Sequence, residues 1–243
     1  MQSPLSFGKG NAKLGKFIAT FSLPAGYACP GASQCLAKAN RETGVLTDGP
    51  NALFRCFSAS SEALFPSVRL QRWKNFEALK SQSSAIMAHL IKSSLPSESI
   101  IRIHVSGDFF SQDYFDAWLN VAKNTPEKTF YAYTKSINFW VARLPDIPTN
   151  FKLNASVGGK YDGLITEHNL KSAIVVFTEQ QAKDLNLEID HDDTHAYQED
   201  KSFALLLHGT QAKGSQASKA LSTLRSQGKG GYSNNKEKHL VHV

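Results

Sequence analysis

The chain is poor in sulfur, with three cysteines and two methionines in 243 residues. An odd number of thiols cannot be fully paired, and three are too few for the disulfide framework of a small secreted domain. No run approaches the roughly 18–20 consecutive apolar residues that a membrane-spanning helix needs. The opening "MQSPLSFGKGNAKLGKF" carries no apolar core of a secretory signal. These absences point to a reducing cytoplasm and no membrane partner. Several standard signatures are missing too. "HGTQAKGSQASKA" (208–220) lacks phosphate-loop spacing, although the amides opening a helix at Ser215 could face an anion. "EIDHDDTHA" (188–196) is dense in carboxylate and imidazole, which can bind a divalent metal. It has neither the glycine of a calcium loop nor the spacing of a zinc-protease helix, so it reads as a charged, solvated loop. No nucleophile elbow is present, and no Cys–His pair follows from spacing.

What is present describes a globular protein: 41% hydrophobic and 20% charged residues. The net charge of +6 is unevenly placed. Residues 1–28 hold Lys9, Lys13 and Lys16 with no acid, and residues 209–243 hold six cations against Glu237 alone. Such ends can touch nucleic acid or another polyanion, or can simply be solvated.

The first 65 residues lack sustained periodicity, apart from a strand candidate "FIATFSL" (17–23) closed by Pro24. "CLAKANRE", beginning at Cys35, reads as a short helical stretch. "SVRLQRWKNFEALKSQ" repeats apolar residues at helical spacing, and "SAIMAHLIKSSL" continues to Pro96. Strand and helix patterns then alternate. The strands are expected at 99–105, 128–134, 150–156, 173–177 and 203–208, and the last helix at 215–228 has a serine cap and a glycine stop. This rhythm implies an α/β fold with a mostly parallel sheet, either an open or incomplete (β/α) barrel or a doubly wound sheet. Residues 1–228 are expected to form one α/β domain with an irregular, cysteine-bearing amino-terminal region, and 229–243 a basic, flexible tail.

Functional groups in parallel sheets collect beyond the carboxyl ends of the strands. One strand runs into Ser106, Gly107 and Asp108, another into Thr134, Lys135 and Ser136, a third into Ser156, Gly158 and Gly159, and the last into His208–Gln211. Four such ends on one rim make a pocket that could bind a small-molecule ligand. Asp108 suits a ligand ammonium or hydroxyl, or else an Asx-turn. His104, inside its strand, is expected to face a covered side.

The cysteines, Cys29, Cys35 and Cys56, are spaced C-x5-C-x20-C, which is neither a CxxC knuckle nor a CxxxCxxC loop. Spacing alone leaves unrelated buried thiols and metal ligands both open. Cys29 and Cys35 sit on no apolar periodic face, however, and thiolates suit zinc or iron–sulfur clusters.

At these residues the chain resembles the gene product 88 family of phages and related mobile elements. "FSLPAGYACPGASQC", "FRCFSAS", "RIHVSGDFFSQDYFDAW" and "FYAYTKS" follow in the family's order, over roughly residues 17–210. That resemblance implies a phage-encoded protein of the host cytoplasm and brings no established function with it. The family pattern has a shorter interval between the second and third cysteines. A second resemblance is architectural. Radical S-adenosylmethionine (SAM) enzymes hold a cluster by three cysteines in the loop after the first strand of an incomplete α/β barrel. It implies a [4Fe–4S] cluster on Cys29, Cys35 and Cys56, SAM near Asp108, and a redox or SAM-linked activity with a redox partner. The rival expectations are a structural zinc site (Cys3His) and a nucleic-acid-binding accessory protein acting through its basic ends.

Overall fold

The computed structural model describes residues 3–11 and 13–229. The expected basic tail therefore lies outside the described residues beyond Lys229. Lys229 itself turns back to Glu179, with Nζ 2.7 Å from its carboxylate.

The elements run β1 (Gly8–Asn11), β2 (Gly15–Ser22), a hairpin of β3 (Ala37–Ala39) and β4 (Leu46–Asp48), then α1 (Phe57–Leu64), α2 (Pro66–Leu79) and α3 (Ser84–Ser94). The alternating part follows: β5 (Ile100–Ser106), α4 (Gln112–Lys123), β6 (Thr129–Thr134), α5 (Ile137–Val141), β7 (Phe151–Ser156), α6 (Gly163–Glu167) and β8 (Ser172–Val176). The chain ends with α7 (Glu179–Asp184), α8 (Thr194–Tyr197), β9 (Phe203–Leu206) and α9 (Gln216–Ser226). The seven-stranded sheet has the order β1-β2-β5-β6-β7-β8-β9, and only β1 is antiparallel to its neighbour. Strands enter in chain order with no reversal, which excludes the doubly wound alternative. The wall ends on β1 and β9 and is not closed into a barrel.

Local chemistry explains the helices that frame the sheet. Ser111 caps α4 by accepting the Tyr114 N–H at 3.2 Å, Asp113 lies in the first turn and Lys123 in the last. Its apolar stripe buries Tyr114, Phe115, Trp118 and Val121 against one sheet face, where Trp118 makes edge contacts with Phe21 and Phe130. Ser215 caps α9, and Gly228 ends it at φ 73°.

Two sequence expectations fail here. "CLAKANRE" contains β3 rather than a helix, because the short segment pairs with 46–48 across a turn. "EIDHDDTHA" is not a solvated loop: Asp190 and Asp193 are buried over the second face of the sheet. Asp193 accepts from Arg102 at 2.6 Å, from Tyr131 at 2.9 Å and from Tyr133 at 3.0 Å, while Lys13 bridges Asp193 and Asp190 at 2.5 and 2.9 Å. Burial pushes the Asp193 carboxyl up, but Arg102 and Lys13 outweigh it and hold the group well below the usual carboxylate range. Lys13 is thereby withdrawn from the basic amino-terminal surface.

Candidate cofactor site: a cysteine-lined cavity

The site begins with an irregularity in β5. Thr20 of β2 pairs with Arg102, but Ser22 pairs with Ser106, so β5 carries two extra residues between the matched positions. His104 sits inside this bulge at φ 65°, a conformation rare for a residue with a Cβ. Its ring is buried, with Nε2 3.1 Å from Tyr114 Oη, and burial together with Arg102 drives its pKa down to about 3. The covered position expected for His104 is correct, and the ring is neutral.

The bulge delivers Ser106, Gly107 and Asp108 to the carboxyl edge of the sheet. There the strand ends are tied in series. Asp108 Oδ1 accepts from Thr134 Oγ1 at 2.6 Å and from the Phe109 N–H at 2.7 Å, and Oδ2 accepts from the Lys135 N–H at 2.8 Å. Lys135 Nζ then donates to Ser156 O at 2.9 Å, Ser156 Oγ at 3.1 Å and Val157 O at 2.5 Å. Burial lifts the Asp108 pKa to about 6 against these three donors. Asp108 is therefore an Asx-type staple between β5 and β6, while Ser111 supplies the helix cap.

The cysteine loop lies across this rim. Leu23 N–H reaches Ser106 O at 2.9 Å, and Lys160 N–H reaches Gly31 O at 2.9 Å. Gly31 abuts the Lys135 carbonyl so closely that a Cβ would fall 2.1 Å from that oxygen. A buried carboxylate anchors the loop's start: Glu62 Oε1 accepts from the Ala25 N–H at 2.8 Å, Arg72 at 2.8 Å and Ser106 Oγ at 3.1 Å. Cys56 is the N-cap residue of α1, whose Ser58 hydroxyl donates to Val105 O at 2.6 Å.

All three cysteines, together with Ser106, Gly107, Asp108, Lys135 and Ser156, line one cavity of about 410 Å³. Thr134 stands behind it, acting through Asp108. The thiols are free and half-buried. Burial, with Asp108 and Cys56 nearby, raises the Cys29 thiol well above its usual range, opposed by the Gly26 N–H, 3.3 Å from its sulfur. Burial lifts Cys35 to about 11, with Lys135 pulling the other way. Both thiols are therefore held protonated at neutral pH. Lys135 is itself buried and bonded to neutral oxygens, and no carboxylate pairs with its Nζ among the described ion pairs.

The three sulfurs do not all lie within 4.8 Å of one another. Among the described residues, that criterion is met only by Glu188, His195 and Glu199. There His195 Nδ1 contacts Asp190 and Nε2 contacts Glu188, both at 3.1 Å. His191 lies outside α8 and does not join them. Sequence reasoning missed Glu62 and Phe57, the second of which lines the cavity beside Cys56. A lone acid in "FSASSEAL" gives no local hint of its partners, which lie in other elements.

Fold and site together define an α/β protein with a thiol-lined cavity over the carboxyl edge of an open parallel sheet. The chain belongs to the gene product 88 family, whose model matches residues 4–226. It is similar to the Gene 88 proteins of Mycobacterium phage L5 and Mycobacterium phage D29. Each is 28% identical over 138 residues, covering 52% of this chain and 51% and 50% of the respective relatives. The chain thus spans about half the length of the curated relatives it matches. No solved structure matches it. Among the described residues, no helix is long and apolar enough to cross a membrane.

Proposed function

We propose that this phage-family protein binds an iron–sulfur cluster, [4Fe–4S], through Cys29, Cys35 and Cys56. The observation that carries the reading is the convergence on one cavity of the two thiols of the Cys29–Cys35 loop and the thiol that opens α1, beside a buried lysine whose Nζ has no carboxylate partner among the described ion pairs. Three thiolates introduce negative charge into a buried site, and Lys135, the Gly26 N–H and the amino end of α1 supply the opposite sign. Three cysteines leave one iron of a cubane without a thiolate. Asp108, Ser106 and Ser156 line the same cavity, so an exogenous ligand such as SAM belongs to this reading, as does an incomplete-barrel kinship with radical SAM cores. When bound, such a cluster supplies one-electron chemistry.

Anaerobic purification with iron and sulfide analysis tests the proposal. The expected result is a brown protein with equal iron and sulfide and thiolate-to-iron absorbance near ~400 nm, lost in Cys29→Ser, Cys35→Ser and Cys56→Ser. A colourless, iron-free protein after reconstitution refutes it. One equivalent of zinc without sulfide establishes the Cys3His alternative instead.

A further inference from the structure

The cavity is lined by more than its cysteines. Phe54, Phe57, Val175, Leu205 and Leu207 form an apolar wall. Val175 and Leu205 are directly paired across β8 and β9, so both project from the same sheet face. Both remain half-buried, as do Phe54 and Phe57. Strands inside a parallel sheet ordinarily have both faces covered, so these side chains leave apolar surface to be covered.

The charged groups of the lining are already compensated. Asp190 and Asp193 hold Lys13 and Arg102, and Asp48 takes Arg55 through Nε at 2.8 Å and Nη2 at 2.5 Å. Lys135 spends its ammonium group on three oxygens, and Asp108 accepts hydrogen bonds at both of its own. His208, whose ring lies 4.7 Å from that of Phe57, is driven by burial to a pKa of about 4 and is neutral. An ionic ligand entering here would lose its hydration and find each counter-charge taken. An apolar ligand would instead gain with every part of the wall it covers. A cavity of about 410 Å³ walled in this way has the size and build of a small-molecule site.

We infer that the cavity binds an uncharged, predominantly apolar small organic molecule, seated on the Val175–Leu205 pair and the Phe54 and Phe57 rings. The inference goes beyond the cluster reading and does not rest on it, because its recognition residues are not the thiols.

The test is equilibrium dialysis of the full chain, purified anaerobically, with two probes of the same aromatic body. N-phenyl-1-naphthylamine is uncharged, and 8-anilinonaphthalene-1-sulfonate is anionic. The uncharged probe is expected to fill one saturable site. The sulfonate, measured by its displacement of the uncharged probe, is expected to bind that site about tenfold more weakly or worse. Leu205→Trp, which fills the cavity from β9, abolishes retention of the uncharged probe while circular dichroism stays native. Val175→Phe fills it from β8 and serves where Leu205→Trp does not fold. Absence of a saturable site for the uncharged probe, equal or tighter binding of the sulfonate, or full binding in a folded, cavity-filled variant overturns the inference. Iron and sulfide measured on the same sample report separately on the cluster. A metal-free protein that retains the uncharged probe loses the first reading and keeps the second, and a cluster-bearing protein that does not retain it does the reverse.

Discussion

Glu62 is the strongest single test of how the site is held. Its Oε1 takes all three hydrogen bonds described for the carboxylate, from Ala25, Arg72 and Ser106, while Oε2 is buried with no hydrogen-bond partner among the described residues. Glu62→Ala removes the counter-charge of Arg72, which is itself only 7% exposed and would keep only its bond to Ser58 O. It also orphans the amide that opens the cysteine loop. Breaking a buried pair by deleting one partner costs about 3–5 kcal/mol, because the remaining charge stays desolvated. For a chain of this length, where each kcal/mol is worth about 2–4 °C, that is a fall in Tm of roughly 6–20 °C. Calorimetric melts at neutral pH measure it. The double variant Glu62→Leu/Arg72→Met removes both members of the buried pair and is expected to melt above Glu62→Leu alone. A loss below about 1 kcal/mol in Glu62→Ala, or a double variant no better than the single, would refute the assignment of Glu62 as a buried, energetically coupled anchor.

Gly31→Ala places a methyl 2.1 Å from the Lys135 carbonyl, and the loop must lift off the rim. We expect a loss of about 1–3 kcal/mol in urea unfolding, and an unchanged midpoint would contradict the close packing. Asp193 has a depressed pKa in the folded state. Its stabilisation is therefore complete above the unfolded value of about 3.9 and is lost as pH falls toward the folded value. Urea midpoints should drop below about pH 4, and Asp193→Asn should flatten that drop while lowering stability at pH 7. Trp118→Ala empties the centre of the main core and is expected to cost about 3–5 kcal/mol in the same assay. A cost under 1 kcal/mol would mean that the α4 face packs otherwise.

The parallel strands were legible because each is a short β-rich run bounded by turn residues, and their polar carboxyl ends marked the rim. The thiol-bearing loop was legible because Cys29 and Cys35 sit outside any apolar period. The short pieces β1, β3, β4 and α1 were not, since three to eight residues hold too few apolar repeats to fix a period. The acidic stretch misled for another reason. Its density of charge reads locally as solvated, yet Asp190 and Asp193 are compensated by Lys13 and Arg102, 177 and 91 positions away respectively. Long-range pairing of this kind leaves no periodic trace. Nor does the bulge at His104, whose sequence "RIHVS" is an ordinary strand and whose conformation is imposed by the neighbouring register.

All three cysteines belong to the one long crossover between β2 and β5. They therefore leave the ribosome before Asp108, Lys135 and Ser156, which later wall them in. Between Cys56 and Ser156 lie about 100 residues of synthesis, which at roughly 5–20 residues per second is about 5–20 s. During that interval the thiols are translated but have no finished chamber around them, and they stand open to oxidants and metal donors alike. The layout of the chain thus sets a timetable: the thiols come first and the container afterwards.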